Sequence, residues 1–286
     1  MAGKKVFVSL RRSAADTAKL ARFSECLVDQ FCLDNHEVNV AFHENLDTYV
    51  LEPCHDDSLP LRLAHPSFCP IKHLSASQVE QVSQKAPSLN LPLAVSTIVQ
   101  SSDFHILLTR RAKTLRAFPG VWVSPGGYVD PGESTLTTGL RELKEETGIE
   151  ASQASALCFW ESAFPPVLSY GLPNRHTLVL YVFIQIDQPS CDLEEFAVSP
   201  DEVDMLCWVP KRAVREIVEG TASRTNQMLK TFATNPDGSV SETSRLLSEM
   251  SCVLPIESEA SSTFNDVERI STGTKFALQN WLERCS

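Results

Sequence analysis

Residues 127–149, GYVDPGESTLTTGLRELKEETGI, decide the fold of this 286-residue chain. They begin with a glycine-bearing loop and continue into a segment that is dense in acidic residues. Ser134 is suited to be a helix N-cap, because its side chain can accept a hydrogen bond from the first turn. Gly148 is suited to follow the last turn, where the backbone often adopts a left-handed conformation. The stretch therefore predicts a helix between these two residues.

The phase of this helix separates an apolar side from an acidic one. At roughly 100° per residue, four residues fall on one stripe that would face a core: Leu136, Leu140, Leu143 and Thr147. Glu142, Glu145 and Glu146 lie together on a different face. Clustered carboxylates repel one another, and a divalent cation such as Mg²⁺ or Mn²⁺ relieves that repulsion. The spacing predicts a metal site, and the alternative is a solvated acidic face with an Arg141–Glu145 pair.

Composition excludes several classes of protein. The formal net charge is −11, which disfavours an extended nucleic-acid footprint while allowing a small pocket for one phosphorylated ligand. Nine cysteines without CxxC spacing indicate reduced thiols and an intracellular protein. No stretch approaches the ~20 apolar residues of a membrane span, so no membrane partner is expected. Cytoplasmic localisation is the expectation, and the basic bias of residues 1–23 leaves mitochondrial targeting as the alternative.

Three regions are predicted along the chain. Residues 1–88 form an N-terminal α+β region of unknown role, with a helix expected at 16–32, a strand or hairpin at 38–51 and a linker or exposed helix at 75–88. Residues 89–236 form a domain in which strands and helices interleave around a mixed sheet, including a hairpin made of 93–100 and 105–109. Residues 237–286 form a loop and a C-terminal helix that is expected to dock on the core.

Cys54, His55, Cys69 and His73 raise the question of a zinc site in the N-terminal region. Their spacing does not match a standard zinc finger, and a structural zinc needs four ligands in firm geometry. Small buried cysteines and surface histidines are therefore the expectation here.

The pattern G-x5-E-x7-R-E-U-x-E-E-x-G-U, in which U is aliphatic, is matched at every defined position of residues 127–149. This is the Nudix box, and the chain resembles the Nudix hydrolase family across roughly residues 90–220. The resemblance implies an α/β fold of the Nudix type, an α/β/α sandwich around a mixed sheet. It also implies hydrolysis of a diphosphate linkage in a nucleoside diphosphate joined to another group, with Mg²⁺ or Mn²⁺ as cofactor.

The resemblance assigns roles within the box. It implies Glu142 and Glu146 as main metal ligands, Glu145 as a third and the Gly127 carbonyl as a further one. Arg141 and Glu133 match structural positions, where the arginine holds the loop by pairing with the acid. Families differ over which acid activates water, so the catalytic candidates are Glu142, Glu145 and an acid downstream of the box, Glu202.

Substrate choice depends on residues outside the box. Segments 159–166 and 271–278 resemble a vertebrate subfamily to which hydrolysis of N7-methylguanosine-capped RNA is assigned. Trp160 beside Glu161 suits a cationic methylated guanine, by cation–π stacking and hydrogen-bond acceptance. Arg111 and Arg116 are candidates for phosphate contact. The expected partner is therefore a nucleotide-type substrate, with the 5′ cap of RNA favoured.

Other interpretations stay open. Residues 107–127 approximate the signature of coenzyme A diphosphatases, with departures at Ala112 and Ser124. Nucleotide sugars are a further substrate class, and a non-catalytic Nudix-fold binding module is the alternative to an enzyme. The family resemblance also admits a homodimer.

Overall fold

The computed structural model describes residues 5–13, 15–33, 35–45, 48–54, 60–86, 88–250 and 269–285. Contacts divide the chain into two units, and neither is continuous in sequence. The first unit comprises Met1–Val95, Tyr128–Thr138 and Ala156–Tyr181. The second unit comprises Ser96–Gly127, Gly139–Ser155 and Val182–Ser286. The predicted boundaries at 88 and 236 stay predictions.

Six helices and fifteen strands lie within these residues. The helices are α1 (Leu27–Phe31), α2 (Ala76–Lys85), α3 (Thr135–Thr147), α4 (Lys211–Glu219), α5 (Leu247–Met250) and α6 (Thr272–Arg284). The strands are β1 (Val8–Leu10), β2 (Lys19–Leu20), β3 (Glu37–Asn45), β4 (Thr48–Pro53), β5 (Leu61–Ala64), β6 (Leu93–Gln100), β7 (His105–Arg111), β8 (Val121–Val123), β9 (Gly126–Tyr128), β10 (Ser155–Phe164), β11 (Arg175–Gln185), β12 (Val203–Pro210), β13 (Met228–Thr234), β14 (Val240–Leu246) and β15 (Arg269–Ile270).

The first unit contains a mixed sheet with the strand order β10-β5-β3-β4-β1-β2. The β1–β4 and β10–β5 pairs are parallel, whereas β3 pairs antiparallel with both β4 and β5. Of the strand or hairpin predicted at 38–51, the hairpin is therefore observed. Ser75 caps α2 with a capping box that includes Gln78, so the segment predicted as a linker or an exposed helix contains the helix Ala76–Lys85. Strands β1 to β5 and helices α1 and α2 of this unit lie within residues 1–88, and the extent and role predicted for that region stay predictions.

The second unit contains the order β14-β13-β12-β7-β6. Strand β7 pairs antiparallel with β12 and also with β8, and β15 joins β8 in parallel. A buried apolar cluster packs this unit, and Leu143 on α3 is one of its fully buried members, together with Leu107 and Leu206. Truncating one such leucine to alanine costs about 2–5 kcal/mol, so these contacts fix the position of α3 in the unit.

Helix α3 begins and ends as its sequence predicts. The Ser134 Oγ accepts a hydrogen bond from the Thr137 N–H at 3.1 Å, which is an N-cap. Gly148 has a φ of +77° and its N–H donates to the Lys144 carbonyl at 2.8 Å. A side chain at this φ is strained, so glycine suits the helix end.

The helix predicted at 16–32 is wrong over most of its length. Strand β2 instead pairs with β1, and the Phe23 N–H donates to the Leu89 carbonyl at 2.8 Å. Backbone groups that bond to other strands cannot complete a helix, so only the five residues of α1 are helical. Strand β14 also lies in a segment that the sequence predicted to be loop-prone. Its side chains are mostly exposed, and it is held by pairing with β13.

The α/β class with mixed sheets is confirmed. The predicted 93–109 hairpin is present as β6 and β7, and helix α6 docks through the Trp281 Nε1–H, which donates to Gln100 Oε1 at 2.7 Å. Within the described residues, no helix is both long and apolar enough to span a membrane.

Candidate active site

The three box glutamates of α3 have different environments. The Glu145 side chain is 56% exposed, that of Glu142 is 14% exposed, and Glu146 is 8% exposed as a residue. Glu146 follows the buried Leu143 by three residues, so it lies near the core side of the helix. The three acids of the predicted face therefore differ in exposure, from Glu145 in solvent to the buried Glu146.

Glu146 is a buried acid among other acids. Burial raises its pKa to about 8, and the charges of Glu142 and Glu202 contribute to the increase. The charge of Arg111 opposes this shift, as does the N–H of Gly126, which donates to Glu146 Oε2 at 3.2 Å. A carboxylate in this position is costly to ionise unless a cation lies beside it.

Glu142 shares this environment to a smaller degree. Burial raises the pKa of Glu142, Arg141 opposes the shift, and the charges of Glu145 and Glu202 add to it. The Arg141 Nη1 donates to Glu142 Oε1 at 2.7 Å and to Glu145 Oε2 at 2.9 Å. One guanidinium thus bridges two of the box carboxylates and offsets part of their repulsion.

Gly127 in β9 lies directly against the Glu142 carboxylate. A Cβ added to Gly127 would lie 2.6 Å from Glu142 Oε2 and closer still to Oε1, which real Cβ atoms do not tolerate. A side chain at this position would therefore displace the Glu142 carboxylate, whereas glycine lets the backbone approach the acid closely. The same loop holds Gly126, whose N–H binds Glu146, so one short strand contacts two box glutamates.

Glu202 joins the cluster from a different element. It lies in a turn before β12, where its N–H donates to the Ser199 carbonyl at 3.0 Å and its own carbonyl accepts from the Ala112 N–H at 2.9 Å. The residue is exposed, and its charge raises the pKa of both Glu142 and Glu146. The second unit thus brings together acids that are about 60 residues apart in sequence.

The donor set fits a hard divalent cation. It consists of carboxylate oxygens together with the backbone of β9, and it contains no sulfur or imidazole ligand. Burial and the charges of neighbouring acids raise the pKa of both Glu142 and Glu146, and a cation would offset this cost of ionisation. The residues present therefore fit Mg²⁺ or Mn²⁺ on chemical grounds.

The arginines upstream of the box have separate roles. Arg110 is buried and forms a two-contact pair with Asp204, at 2.6 Å through Nε and 3.2 Å through Nη2. This pair holds β7 to β12, so Arg110 is structural. Arg111 donates from Nε to the Ala117 carbonyl at 3.1 Å, and its charge acts on Glu146. Arg116 is exposed. The assignment of Arg111 and Arg116 to substrate stays a prediction.

Glu133 and Arg141 have contacts consistent with support of the box. The Thr138 Oγ1 donates to Glu133 Oε2 at 2.7 Å, which holds the loop to the first turns of α3 within the first unit. Arg141 contacts Glu142 and Glu145 in the second unit. The pairing of Arg141 with Glu133 stays a prediction.

Trp160 and Glu161, the candidates for base recognition, are both buried in β10 of the first unit. Glu161 Oε1 accepts from the Leu27 N–H at 2.8 Å and faces His176 Nε2 at 2.9 Å. These contacts are those of a structural carboxylate, and they hold α1 and β11 to β10. Substrate binding by Trp160 and Glu161 stays an untested prediction that these contacts do not favour.

Two supporting residues come from the N-terminal region and escaped prediction. The Glu44 carboxylate accepts from the Thr135 N–H at 2.7 Å and from its Oγ1 at 2.6 Å, at the start of α3. The Tyr49 hydroxyl donates to the Glu133 carbonyl at 2.7 Å. No spacing signal could reveal them, because they lie about 90 residues from their partners.

The outcome for the cysteine and histidine residues at 54–73 is mixed. Cys69 is buried and His73 is exposed, as the interpretation without zinc predicts. Cys54 is half-buried, and His55 lies outside the described residues. Cys69 is instead close to two residues that the sequence did not single out, Cys26 and His65.

Comparison with known proteins extends the similarity over nearly the whole chain. A family model described as the NUDIX domain matches residues 90–232. The m7GpppN-mRNA hydrolase NUDT17 of Xenopus laevis is 36% identical over 291 residues, which cover 98% of this chain and 95% of that protein. The protein of the same name from Danio rerio is 34% identical over 297 residues, covering 98% and 96% respectively. Among solved structures, a MutT/nudix family protein from Enterococcus faecalis is 18% identical with a TM-score of 0.38, covering 75% of this chain and 71% of that one.

Proposed function

The chain belongs to the Nudix hydrolase family, and from this premise we propose that it hydrolyses N7-methylguanosine-capped RNA at a diphosphate linkage, with Mg²⁺ or Mn²⁺, to release N7-methyl-GDP. The observation that supports the substrate is the similarity to relatives named m7GpppN-mRNA hydrolase, which extends beyond the box to 95% of the length of the Xenopus laevis protein and 96% of that of the Danio rerio protein. The acid cluster around Glu146 supports the metal dependence.

The cation ligands in this proposal are those that the box supplies. Glu142, Glu145 and Glu146 would hold the ion together with the Gly127 carbonyl, and the Gly126 N–H donates to Glu146 Oε2 at 3.2 Å. When bound, the cation would neutralise charge on the diphosphate and orient the attacking water. The buried position of Glu146 excludes water from its contacts and strengthens its electrostatic interactions with a neighbouring cation.

A carboxylate of the same cluster accepts the proton from the attacking water. Glu142, Glu145 and Glu202 are the candidates, and a base works best when its pKa lies near the operating pH. Burial already raises the pKa of Glu142. Glu202 is exposed and lies outside the helix, so it can accept a proton without giving up a ligand position. Glu202 is therefore favoured as the base over the two box acids.

Charge on the leaving phosphate requires basic groups on the same side of the second unit. Arg111 lies near enough to Glu146 to lower its pKa, so it is near the proposed cation. We propose that Arg111, with Arg116, contacts the phosphates.

We also propose that the protein acts in the cytoplasm on a single capped end and that it forms a homodimer.

A parallel assay of three substrate classes tests this function. Methyl-capped RNA, coenzyme A and a nucleotide sugar are incubated at equal concentration with the full-length chain and with Mg²⁺ or Mn²⁺, and the products are separated by chromatography. We expect the capped RNA to be the fastest substrate and N7-methyl-GDP to be its product.

Three results would decide against parts of this proposal. If coenzyme A is hydrolysed far faster than capped RNA, the substrate is coenzyme A and not the RNA cap. Full activity in the presence of a chelator would contradict the proposed metal dependence. Ligand binding without turnover in the wild-type chain would identify a non-catalytic binding module.

A further inference from the structure

A second group of potential metal ligands lies in the first unit, away from the box residues in sequence. The ligand atoms of Cys26, His65 and Cys69 all lie within 4.8 Å of one another, and the three residues are buried. Across the described ranges, no other three histidine, cysteine or acidic residues bring their ligand atoms this close.

The three residues come from two separate segments. Cys26 precedes α1, where its side chain makes no capping hydrogen bond. His65 follows β5, and Cys69 lies in a turn closed by its own N–H, which donates to the Pro66 carbonyl at 2.9 Å. An ion pair between Lys72 and Asp29, at 2.8 Å, joins the same two segments beside the cluster. The ligands are therefore placed by local structure and held together by a neighbouring contact.

Two distances at Cys26 suit tetrahedral coordination. The Cys26 Sγ lies 3.5 Å from His65 Nδ1 and 3.5 Å from Glu161 Oε2. Zinc with ligand distances of about 2.3 Å to sulfur and about 2.1 Å to nitrogen or oxygen places such ligands roughly 3.6 Å apart in a tetrahedron. Two edges that meet at Cys26 thus already have the expected length. The Glu161 oxygen lies beside Cys26 but outside the group of three atoms within 4.8 Å of one another, so it must approach the other two ligands when the ion binds.

The surrounding charges also balance around a divalent cation. His176 faces two acceptors, the Phe23 carbonyl at 2.6 Å and Glu161 Oε1 at 2.9 Å, so both of its ring nitrogens donate and it is charged. Two thiolates and the Glu161 carboxylate carry three negative charges. One Zn²⁺ and one imidazolium offset them, which leaves the buried group neutral.

We propose that the first unit holds a structural zinc ion bound by Cys26, His65 and Cys69, with the Glu161 carboxylate as the fourth ligand and His176 as the group that orients Glu161. Thiolate and imidazole ligands select zinc over Mg²⁺ and Mn²⁺, so this site and the box take different ions. The ion joins α1 to the segment after β5 and thereby stabilises the unit.

Two of the three proposed ligands are neighbouring buried cysteines. A Cys26–Cys69 disulfide is the competing outcome for two neighbouring sulfurs.

Metal analysis of the full-length chain tests the site. The protein is purified under reducing conditions without a histidine tag, and bound zinc is measured by mass spectrometry. We expect about one zinc per chain in the wild type and less than roughly a fifth of that in Cys26→Ser and Cys69→Ser. Cobalt substitution gives a readout independent of activity, because thiolate-to-cobalt absorption bands are expected in the wild type and not in these variants.

Control variants distinguish the loss of a zinc ligand from misfolding of the chain and from a change in the box glutamates. Cys32→Ser and Cys158→Ser change cysteines of the same unit outside the cluster and should keep the zinc. His65→Cys supplies another zinc ligand and should also keep it, whereas His65→Ala should lose it. Glu146→Gln should retain the zinc, and Glu161→Gln should weaken it. The proposal is overturned if the wild type binds no more zinc than Cys69→Ser, or if Cys26 and Cys69 form a disulfide.

Discussion

At the scale of single residues, Glu146 has an environment unlike that of an ordinary surface acid. Its pKa rises from 4.5 to about 8, first because it is buried and then because Glu142 and Glu202 lie nearby. Such a group favours the protonated form in the folded state. Its contribution to stability is therefore fully present below about pH 4.5 and is lost as pH rises through about 8.

We predict that the metal-free protein loses stability between these two pH values, by up to about 1.4 kcal/mol per pH unit from this group. Glu146→Gln cannot ionise, so the decline should be much shallower in this variant. Urea unfolding in the presence of a chelator, at pH 5 and pH 8, measures the difference. Glu145→Gln, which changes an exposed acid of the same helix, should decline as the wild type does. An equal decline in Glu146→Gln would contradict this assignment.

Gly127 gives a second prediction at this scale. A Cβ at this position meets the end of the flexible Glu142 side chain and can be accommodated if that carboxylate moves away. Gly127→Ala should therefore change the free energy of unfolding by less than about 1 kcal/mol. Its activity should fall on the order of 100-fold, because a displaced ligand misplaces the reacting groups.

The matched control for Gly127→Ala is a double-mutant cycle. In a Glu142→Ala background the carboxylate is absent, so adding Gly127→Ala should have little further effect on activity. A full additional loss in that background would show that Gly127 acts through something other than Glu142.

Residue spacing predicted part of this site. The i, i+3 and i, i+4 positions of Glu142, Glu145 and Glu146 follow from helix geometry alone, and Gly127 follows from the box pattern. The burial of Glu146 could not be predicted, because it depends on how α3 packs in the second unit. The grouping of Cys26 with His65 and Cys69 could not be predicted either, because 39 residues separate Cys26 from His65.

At the scale of elements, the start of α3 depends on β3. The Glu44 carboxylate accepts two hydrogen bonds from Thr135, one of them from a backbone N–H of the first turn. A negative charge at a helix N-terminus also interacts favourably with the helix dipole. Residues 1–88 therefore contain a strand that caps the box helix, which gives the N-terminal region a structural role.

Glu44→Ala should destabilise the protein by about 1 kcal/mol, because it removes both acceptors from the helix start. Glu37→Ala is the matched control, since Glu37 lies on the same strand and forms a half-exposed pair with Arg62 at 2.7 Å. Loss of that surface pair should cost no more than about 0.5 kcal/mol. Thermal and urea unfolding of both variants measure the difference, and equal losses would argue against a capping role.

Elements with strong local signals were predicted well, and those set by tertiary pairing were not. Helix α3 has a serine N-cap and a terminal glycine, so it lies where the sequence predicted it. The segment 16–32 has helical spacing of apolar residues, but backbone pairing with β1 and with residues 89–91 overrides it. Strand β14 has mostly exposed polar side chains and gave no apolar signal.

At the scale of the whole molecule, charge limits how the substrate is held. A net charge of −11 opposes contact with a long phosphate backbone, so recognition should be confined to the capped end. We predict that KM for a capped oligonucleotide of a few residues and for a capped RNA ten times longer agree within about threefold, with shallow salt dependence. A KM that falls more than about tenfold with length would reveal an RNA-binding surface outside the cap site.

Release of N7-methyl-GDP from capped RNA, compared between the wild type and Glu146→Gln, tests the central claim most directly. With Mg²⁺ or Mn²⁺ present, the wild type should release the product. The variant should be slower by on the order of 100-fold or more, because loss of even an outer partner of a metal site costs ~10–100-fold. Equal release by the two proteins, or release by neither while both bind the capped RNA alike, would contradict metal-dependent cap hydrolysis by the box glutamates.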